Sequence, residues 1–398
     1  MEGYEALIIG AGACGLMCAI QAGFLGKRVL LLERNEMVGA KILISGGGRC
    51  NYTNLHASAA NFISENPHFI KSALSQWTVD DTINFFETYG IFGQEKTLGQ
   101  LFPTTNNAKD IVKVFKDLCR DLNQEIICEA SVISLSKLEN GTFQVIFEHK
   151  GERQTITVPK VVITTGGLPI KKMGATDFAL KIAKQFGLKI TETAPALVHL
   201  VVNEKEARWY SRLSGTSIFC KVSNDRIAFE ENILFTHWGL SGPAILQISS
   251  YWKIGEWITI DFHPSQSILE MIQQKRQENG KQLLQTFLSN LFTKKFADAL
   301  SDFLPVESNL ASLTKTDFET IENFIHRFLV LPSGDKGYDK AEVMRGGIDT
   351  DELSSKSLEA KNIPGLYFGG ECIDVTGWLG GYNFQWAWAS GYVIAQNL

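Results

Sequence analysis

Three glycines near the start of the chain, Gly10, Gly12 and Gly15, form the pattern GxGxxG. In a dinucleotide-binding turn the first glycine allows a tight bend, the second lets a phosphate approach the backbone, and the third lets helix and strand pack closely. Glu33 follows at the spacing of about 20 residues expected of an acid that binds a ribose hydroxyl. Because an acid there disfavours a 2′-phosphate, the motif predicts FAD or NAD rather than NADP.

A second glycine-rich stretch favours FAD. Residues 41–54 read KILISGGGRCNYTN, with three consecutive glycines beside Arg49 and Asn51. This composition indicates a polar loop whose backbone approaches a ligand, and in many flavoproteins the chain passes the flavin ring at this point. A redox dithiol needs two cysteines in this loop, so we interpret the single Cys50 as a small packed residue.

A third motif, GGECIDVTGWLGGYN at residues 369–383, lies between a predicted strand and a predicted helix. An NAD-dependent dehydrogenase does not need a second nucleotide-facing site, whereas a flavin does. Gly380 and Gly381 permit close backbone approach, and the first N–H groups of the following helix have no partner within it. We expect this helix N-terminus to face the flavin edge that becomes negative on reduction.

A parallel sheet is needed to hold these motifs in place. Buried strands predicted at residues 6–9 and 28–33 flank a helix predicted at 16–25, which is the βαβ unit of such a sheet. Buried strands return at 161–163 and 366–368, whereas residues 265–328 follow a polar helical pattern. The sequence therefore predicts an α/β fold with a Rossmann-like FAD-binding domain of the two-dinucleotide-binding-domain flavoprotein type.

Two smaller units are predicted between the halves of that domain. The expected division is a discontinuous FAD-binding domain at 1–192 plus 345–398, an inserted β-rich domain at 193–264 plus 329–344, and a small helical domain at 265–328.

With these motifs the chain resembles the YhiN/BaiN-like family of NAD(P)/FAD-dependent oxidoreductases over nearly its whole length. Besides the three motifs above, the resemblance rests on Thr165-Gly166-Gly167 and on LFTHWGLSGP at residues 234–243. It implies FAD and a two-part FAD domain. The residues expected to contact the cofactor are Gly10, Gly12, Ala13, Cys14, Gly15, Glu33, Arg34, Lys41, Gly47, Gly48, Arg49, Cys50, Asn51, Thr165, Gly166, Gly167, Gly370, Glu371, Asp374, Gly380, Gly381, Tyr382 and Asn383.

The catalytic residue is less defined than the cofactor site. His237, beside a tryptophan and a glycine turn, is a weak candidate for a proton donor, against the alternative that it satisfies backbone groups at the turn. The chain departs from the family at Gln100, where an arginine is usual, and this concerns substrate contacts rather than FAD. No His/Asp/Glu cluster has metal-ligand spacing, so no metal is expected.

Composition and charge constrain the partners and the compartment. The chain has 398 residues, a net charge of −5 and seven scattered cysteines without CxxC spacing. The charge indicates no general attraction to nucleic acid or to an anionic membrane. No window holds about 18 uninterrupted apolar residues, and the cysteines indicate a reducing compartment. We therefore expect a cytoplasmic protein with a small-molecule substrate, no nucleic-acid partner and no membrane partner; the sequence predicts no oligomeric state.

The sequence predicts an FAD-dependent oxidoreductase that transfers a hydride between flavin N5 and a small organic substrate, with NAD(P)H as a transient co-substrate. One alternative is a flavin oxidase of a small amine that uses dioxygen. A different class is an FAD-containing enzyme that modifies RNA, or a protein that binds FAD without catalysis. The acidic charge disfavours the RNA class.

Overall fold

The computed structural model describes residues 3–398, which form two compact units. The first unit comprises the described residues up to Ala194 together with Val343–Leu398, and the second comprises Pro195–Glu342. The strands, in chain order, are β1 Ala6–Ile9, β2 Val29–Leu32, β3 Thr53–Asn54, β4 Phe62–Ile63, β5 Gly93–Glu95, β6 Gln100–Pro103, β7 Glu125–Ile127, β8 Ala130–Lys137, β9 Phe143–His149, β10 Glu152–Val158, β11 Lys160–Ile163, β12 Ala194–Ala196, β13 Leu200–Val201, β14 Ser217–Ser223, β15 Ala228–Thr236, β16 Gly239–Ser241, β17 Ile258–Asp261, β18 Phe328–Val330, β19 Gly334–Asp335, β20 Val343–Arg345, β21 Leu366–Phe368 and β22 Thr376–Gly377.

The α-helices complete the set of elements. In chain order they are α1 Ala13–Phe24, α2 Ala40–Gly48, α3 Phe69–Gln76, α4 Val79–Thr88, α5 Ala108–Asp121, α6 Phe178–Gln185, α7 Glu204–Arg212, α8 Pro243–Ser249, α9 Ile268–Asn279, α10 Leu284–Leu291, α11 Lys294–Ala299, α12 Lys315–His326 and α13 Tyr382–Asn397.

The first unit is built on a parallel sheet with the strand order β21-β11-β1-β2-β7. The central strand β1 pairs in parallel with β11 and β2, and every residue of β1 and β2 is buried. Strands buried on both faces read as continuous apolar runs because helices cover the sheet. This sheet confirms the predicted Rossmann-like α/β architecture.

Two helices from opposite ends of the chain pack together beside this sheet. A Cβ added to Gly391 of α13 would lie 2.5 Å from the Cys14 carbonyl oxygen of α1, so the helices approach to backbone contact. The N-terminus of α4 carries a capping box in which Thr78 accepts from the Asp81 N–H and the Asp81 side chain accepts from the Thr78 N–H. This reciprocal cap fixes the residue at which α4 begins.

The second unit has its own sheet. Seven antiparallel strands follow the order β18-β17-β14-β15-β16-β13-β19. The helices of 265–328 belong to the same compact unit as this sheet. The three-domain division stays a prediction.

The loop expected at residues 41–54 differs from the structure. Ala40–Gly48 is helical at first and breaks at Ser45, which has an extended ψ of 146°. The cause is local: Gly46 and Gly47 have φ values of 54° and 69°, which end the right-handed helix without a steric penalty.

Among residues 3–398, no helix is both long and apolar enough to cross a membrane.

Candidate functional site

The turn between β1 and α1 gives its three glycines different surroundings. Gly10 has φ +104°, and a Cβ on it would lie 2.7 Å from the Thr164 carbonyl oxygen. A Cβ on Gly15 would lie 2.0 Å from the Gly10 carbonyl oxygen. Gly12 has φ −81°, and, apart from the glycine itself and its two chain neighbours, no described residue has an atom within 4 Å of the position of its added Cβ. Gly10 and Gly15 are thus required by the fold, whereas Gly12 leaves space for a ligand.

Thr164 fastens this turn, and the sequence analysis did not single it out. It lies directly after β11, and its hydroxyl donates to the carbonyl oxygens of Ile9 at 3.1 Å and Gly10 at 2.8 Å. Its position after a buried strand and before Gly166-Gly167 is the one signal in the sequence that could have indicated this role.

Glu33 ends β2 beside the same turn. Its buried carboxylate accepts the Ala11 N–H at 2.9 Å and the Asn35 N–H at 2.8 Å. Since a carboxylate has about four lone-pair sites, two of them remain for a ribose diol. The neighbouring Arg34 is exposed.

The segment after the break in α2 presents backbone rather than side chains. Gly46, Gly47 and Gly48 all have positive φ, and an added Cβ on Gly47 would have no described residue within 4 Å other than its own chain neighbours. Arg49 is exposed, donates from Nε to the Gly46 carbonyl oxygen at 2.8 Å, and stands over the Phe102 ring at 5.1 Å.

The two residues that follow are buried. Burial raises the pKa of the Cys50 thiol to about 12, so this thiol is neutral and unreactive at physiological pH. Asn51 Oδ1 is buried without a hydrogen-bond partner among the residues that the structure describes. Such an orphaned acceptor is costly unless a ligand satisfies it.

A second group of predicted residues meets at the end of β11. Lys41 Nζ lies 2.8 Å from Glu371 Oε2, and the other Glu371 oxygen accepts the Met344 N–H at 3.0 Å. Gly167 packs against that carboxylate, with its added Cβ 3.1 Å from Glu371 Oε1. Thr165 Oγ1 is a second buried atom without a hydrogen-bond partner among the described residues.

The start of α13 brings the last motif to the segment that follows α2. Gly380 and Gly381 have φ values of +113° and +99°, and an added Cβ on Gly381 would lie 2.4 Å from the Thr53 carbonyl oxygen. That Cβ would also lie 2.8 Å from Asn51 Oδ1. The Asn383 side chain holds the loop by accepting the Gly377 N–H at 2.8 Å and donating to the Gly377 carbonyl oxygen at 2.9 Å.

Three predicted contacts have partners inside the protein. Cys14 Sγ lies 3.4 Å from Ser390 Oγ, which also accepts the Gly370 N–H at 3.0 Å. Burial raises the pKa of the Asp374 carboxyl group, which accepts the Glu65 N–H at 2.9 Å. Tyr382 is buried and meets Phe62 edge to face.

His237 belongs to the second unit, whereas every residue expected to contact the cofactor belongs to the first. The histidine is exposed, and its Nε2 lies 3.5 Å from Ser214 Oγ. Ser211 Oγ donates to its carbonyl oxygen at 2.9 Å. Among residues 3–398, no group of three or more His, Cys, Asp or Glu side chains could hold a metal ion.

These observations fit a dinucleotide of the FAD type. The open space at Gly12 and the α1 N-terminus suit a pyrophosphate, and the Glu33 carboxylate suits a ribose. Asn51 Oδ1 and Thr165 Oγ1, which have no hydrogen-bond partner among the described residues, are free to bind the cofactor. The chemistry that FAD supplies is hydride transfer at flavin N5.

Comparison with known proteins gives the family. The family described as "HI0933-like protein Rossmann domain" matches residues 4–397. The chain is 42% identical to the ribosomal RNA dihydrouridine synthase of Escherichia coli (strain K12), covering 100% of this chain and 98% of that protein. It is 40% identical to the Haemophilus influenzae protein of the same name, over 99% of this chain and 98% of that one.

More distant similarities extend to other reductases and dehydrogenases. The 3-dehydro-bile acid delta(4,6)-reductase of Clostridium scindens is 28% identical over 98% of this chain and 97% of that protein. Among solved structures, a quinol-fumarate reductase superposes with a TM-score of 0.53 at 14% identity, covering 100% of this chain and 71% of that one. A 3-ketosteroid delta1-dehydrogenase from Sterolibacterium denitrificans gives 0.52 at 11% identity, covering 99% and 100%. The two structures show a shared fold alone.

The relatives correct two predictions made from the sequence. The expectations of a small organic substrate and of no nucleic-acid partner are wrong, because the two relatives at 42% and 40% identity act on ribosomal RNA. A net charge of −5 does not exclude an RNA partner, because it is a sum over the whole surface and does not describe any one region of it. A local cluster of basic and aromatic side chains binds RNA without making the whole chain basic. The resemblance to the YhiN/BaiN-like family is confirmed.

Proposed function

This chain belongs to the HI0933-like Rossmann family of flavoproteins, and we propose that it is an FAD-dependent ribosomal RNA dihydrouridine synthase. The observation that carries the proposal is the 42% identity to a protein of that name over 100% of the chain. The RNA-modifying class, which the acidic charge disfavoured, is the one that this relative supports.

The proposed reaction reduces the C5=C6 bond of a uracil base in ribosomal RNA. Because C4=O is conjugated with this bond, C6 is the electrophilic carbon and receives the hydride, and C5 receives a proton. Each turnover consumes one hydride donor, which we propose is NAD(P)H, and one proton. The sequence has no second GxGxxG after Thr165-Gly166-Gly167, so the nicotinamide would bind transiently without its own Rossmann module.

In this proposal the first unit holds the cofactor. Glu33 would accept the ribose hydroxyls, and Gly12 and Ala13 at the α1 N-terminus would receive the pyrophosphate. Asn51 and Thr165 would supply polar atoms that have no hydrogen-bond partner within residues 3–398. The N-terminus of α13, with Gly380 and Gly381, offers positive potential for the charge that develops on reduction. Ribosomal RNA also implies a cytoplasmic location.

The direct test is dihydrouridine formation. The FAD-loaded protein is incubated anaerobically with ribosomal RNA isolated from a strain that lacks the gene, with NADH and with NADPH in parallel. We expect a uridine of that RNA to gain the mass of two hydrogen atoms, and the flavin colour to be bleached by one nicotinamide more rapidly than by the other. Unmodified RNA with both nicotinamides, together with intact modification in the deletion strain, would refute the proposal.

A further inference from the structure

The second unit carries an exposed tryptophan at the turn between β15 and β16. Trp238 is 38% exposed, and its neighbour His237 is exposed as well. The backbone fixes the turn, because the Val202 N–H donates to the Trp238 carbonyl oxygen at 3.0 Å. A large aromatic side chain on a held turn loses little conformational entropy when a ligand packs on it.

A lysine stands over this indole. The Lys336 ammonium lies 4.3 Å from the centroid of the Trp238 ring, in a cation–π contact. Lys336 follows β19 and reaches the turn through β13, since β13 pairs with β16 on one side and β19 on the other. The Lys336 N–H also donates to the His199 carbonyl oxygen at 3.2 Å.

The segment around this lysine carries charges of both signs: Lys336 and Lys340 alternate with Asp335 and the exposed Asp339. Within the described residues neither Lys336 nor Lys340 forms an ion pair with a carboxylate. Both ammonium groups act on His199, whose pKa is lowered by burial and then by Lys340 and Lys336. The Asp335 carboxylate accepts the Gly337 N–H of its own turn at 2.6 Å.

An exposed indole beside an ammonium group that forms no ion pair with a carboxylate suits single-stranded RNA. Every unpaired base has a π face that stacks on an aromatic ring, and the phosphates beside it attract lysines. A duplex offers no free base face, so it does not use such a ring. We infer that Trp238 and Lys336, with Lys340, form a stacking platform on the second unit for an unpaired base of the RNA substrate and its phosphates. The inference rests on the proposed function, which supplies the RNA.

The test uses the full-length, FAD-loaded protein and a fluorescently labelled oligouridine of about 10 nucleotides, within the span of one single-strand site. Fluorescence anisotropy gives its affinity for the wild type, Trp238→Ala, Trp238→Phe and Lys336→Met. Trp257→Ala is the matched control, because Trp257 is an exposed tryptophan of the same unit, at 54%. Thermal unfolding and flavin absorbance establish that each variant is folded and loaded.

We expect Trp238→Ala to weaken binding by about 5- to 100-fold, the range of one lost base–aromatic stack, and Trp238→Phe to weaken it less. Lys336→Met should reduce the slope of log affinity against log salt concentration by about 1, which is the contribution of one phosphate contact. Trp257→Ala should bind as the wild type does. A matched RNA duplex should bind more weakly than the single strand and should be insensitive to Trp238→Ala.

Two results would overturn the inference: unchanged affinity in Trp238→Ala, or an equal loss in Trp257→Ala. Dihydrouridine formation by the wild type is measured in parallel. If the wild type modifies ribosomal RNA and Trp238→Ala binds the oligouridine normally, the inferred stacking platform is refuted and the proposed synthase function is retained. If the wild type binds the oligouridine through Trp238 but forms no dihydrouridine, the function is wrong and the surface stands.

Discussion

At the residue scale, the glycines at positions 10, 12 and 15 separate the requirements of the fold from those of the ligand. An added Cβ would meet backbone at Gly10 and Gly15, at 2.7 Å and 2.0 Å, but at Gly12 it would meet no described residue beyond the two chain neighbours. The space at Gly12 is therefore open to a bound molecule.

Gly12→Ala is expected to leave the apo-protein as stable as the wild type, because φ at this position is −81° and the methyl group enters open space. FAD affinity should fall by about 1–3 kcal/mol, since the methyl group overfills the space of the pyrophosphate. Thermal unfolding of the apo-protein and FAD titration measure the two effects. Gly15→Ala is the contrasting control. Its methyl group would meet the Gly10 carbonyl oxygen, so this variant should lower the unfolding temperature of the apo-protein. An unchanged FAD affinity in Gly12→Ala would show that this space does not receive the cofactor.

The cysteines allow a second test at this scale. Burial raises the pKa of both Cys14 and Cys50 to about 12, so their thiolate forms are negligible at neutral pH and become appreciable only near that value. In native protein at pH 8, iodoacetamide should leave both thiols unmodified, whereas urea-unfolded protein should be labelled rapidly. Peptide mass spectrometry gives the extent at each site. Rapid labelling of native Cys50 would contradict its assignment as a packed residue and reopen a redox role.

At the element scale, helix α13 is hydrogen-bonded to several other segments of the first unit. Gln385 is fully buried and accepts the hydroxyl hydrogens of Thr53 at 2.7 Å and Thr82 at 2.9 Å. Its amide donates to the carbonyl oxygens of Trp77 and Thr78 at 3.2 Å and 3.1 Å. A fully satisfied buried amide fixes the helix relative to β3 and α4, and so fixes where its N-terminus points.

That N-terminus is proposed to stabilise reduced flavin, and Gln100 provides a probe of it. Gln100 Nε2 lies 3.1 Å from the position of an added Cβ on Gly380. Gln100→Glu adds negative charge there with almost no change of shape, so reduction should become less favourable. We expect the flavin midpoint potential to fall by roughly 30 mV, which corresponds to about 1.4 kcal/mol for a two-electron couple.

Gln94→Glu is the matched control, since Gln94 is an exposed residue on the adjacent strand β5 of the same small sheet. It should leave the potential unchanged. Spectroelectrochemical titration of both variants decides the matter, and equal shifts in the two would place the flavin away from the α13 N-terminus. Gly381→Val is a poor probe of this site, because its Cβ would strike the Thr53 backbone and disturb the fold itself.

At the scale of the whole molecule, the chain leaves the first unit and returns to it at neighbouring points. The Thr191 N–H donates to the Gly347 carbonyl oxygen at 2.8 Å, and the Gly347 N–H donates to Thr191 Oγ1 at 3.0 Å. Every residue proposed to bind FAD lies in the first unit. Chain ends that lie side by side are the usual condition for a tolerated insertion.

We therefore expect that a protein in which residues 195–342 are replaced by a short Gly/Ser linker folds and retains FAD. It should unfold cooperatively, show a bound-flavin spectrum, and lose its affinity for oligouridine because Trp238 and Lys336 are absent. Circular dichroism, flavin absorbance and anisotropy measure these properties. Loss of FAD from a folded protein would show that the second unit contributes to cofactor binding; RNA binding at wild-type affinity would place the RNA site on the first unit.

The sequence by itself determined the elements that depend on local patterns. The strand at Ala6–Ile9 and the capped helix after Thr78 follow from apolar runs and from capping chemistry, which act over a few residues. The Rossmann class followed from the spacing of Gly10–Gly15 and Glu33 for the same reason. The backbone torsion angles of Gly46, Gly47 and Gly48 could not be predicted from the sequence. A run of three glycines is compatible with a loop and also with the broken helix found at Ala40–Gly48.

Only the tertiary structure decided the features that depend on distant residues. The motif assigns Gly12 to a phosphate and Gly15 to close packing, but only the folded turn shows which backbone atoms an added Cβ on Gly15 would meet. Trp238 and Lys336 meet because two antiparallel pairings place β16 and β19 on either side of β13, a register that net charge and composition do not contain. For that reason the sequence identified the cofactor fold, whereas the surface that suits RNA emerged only when the chain was folded.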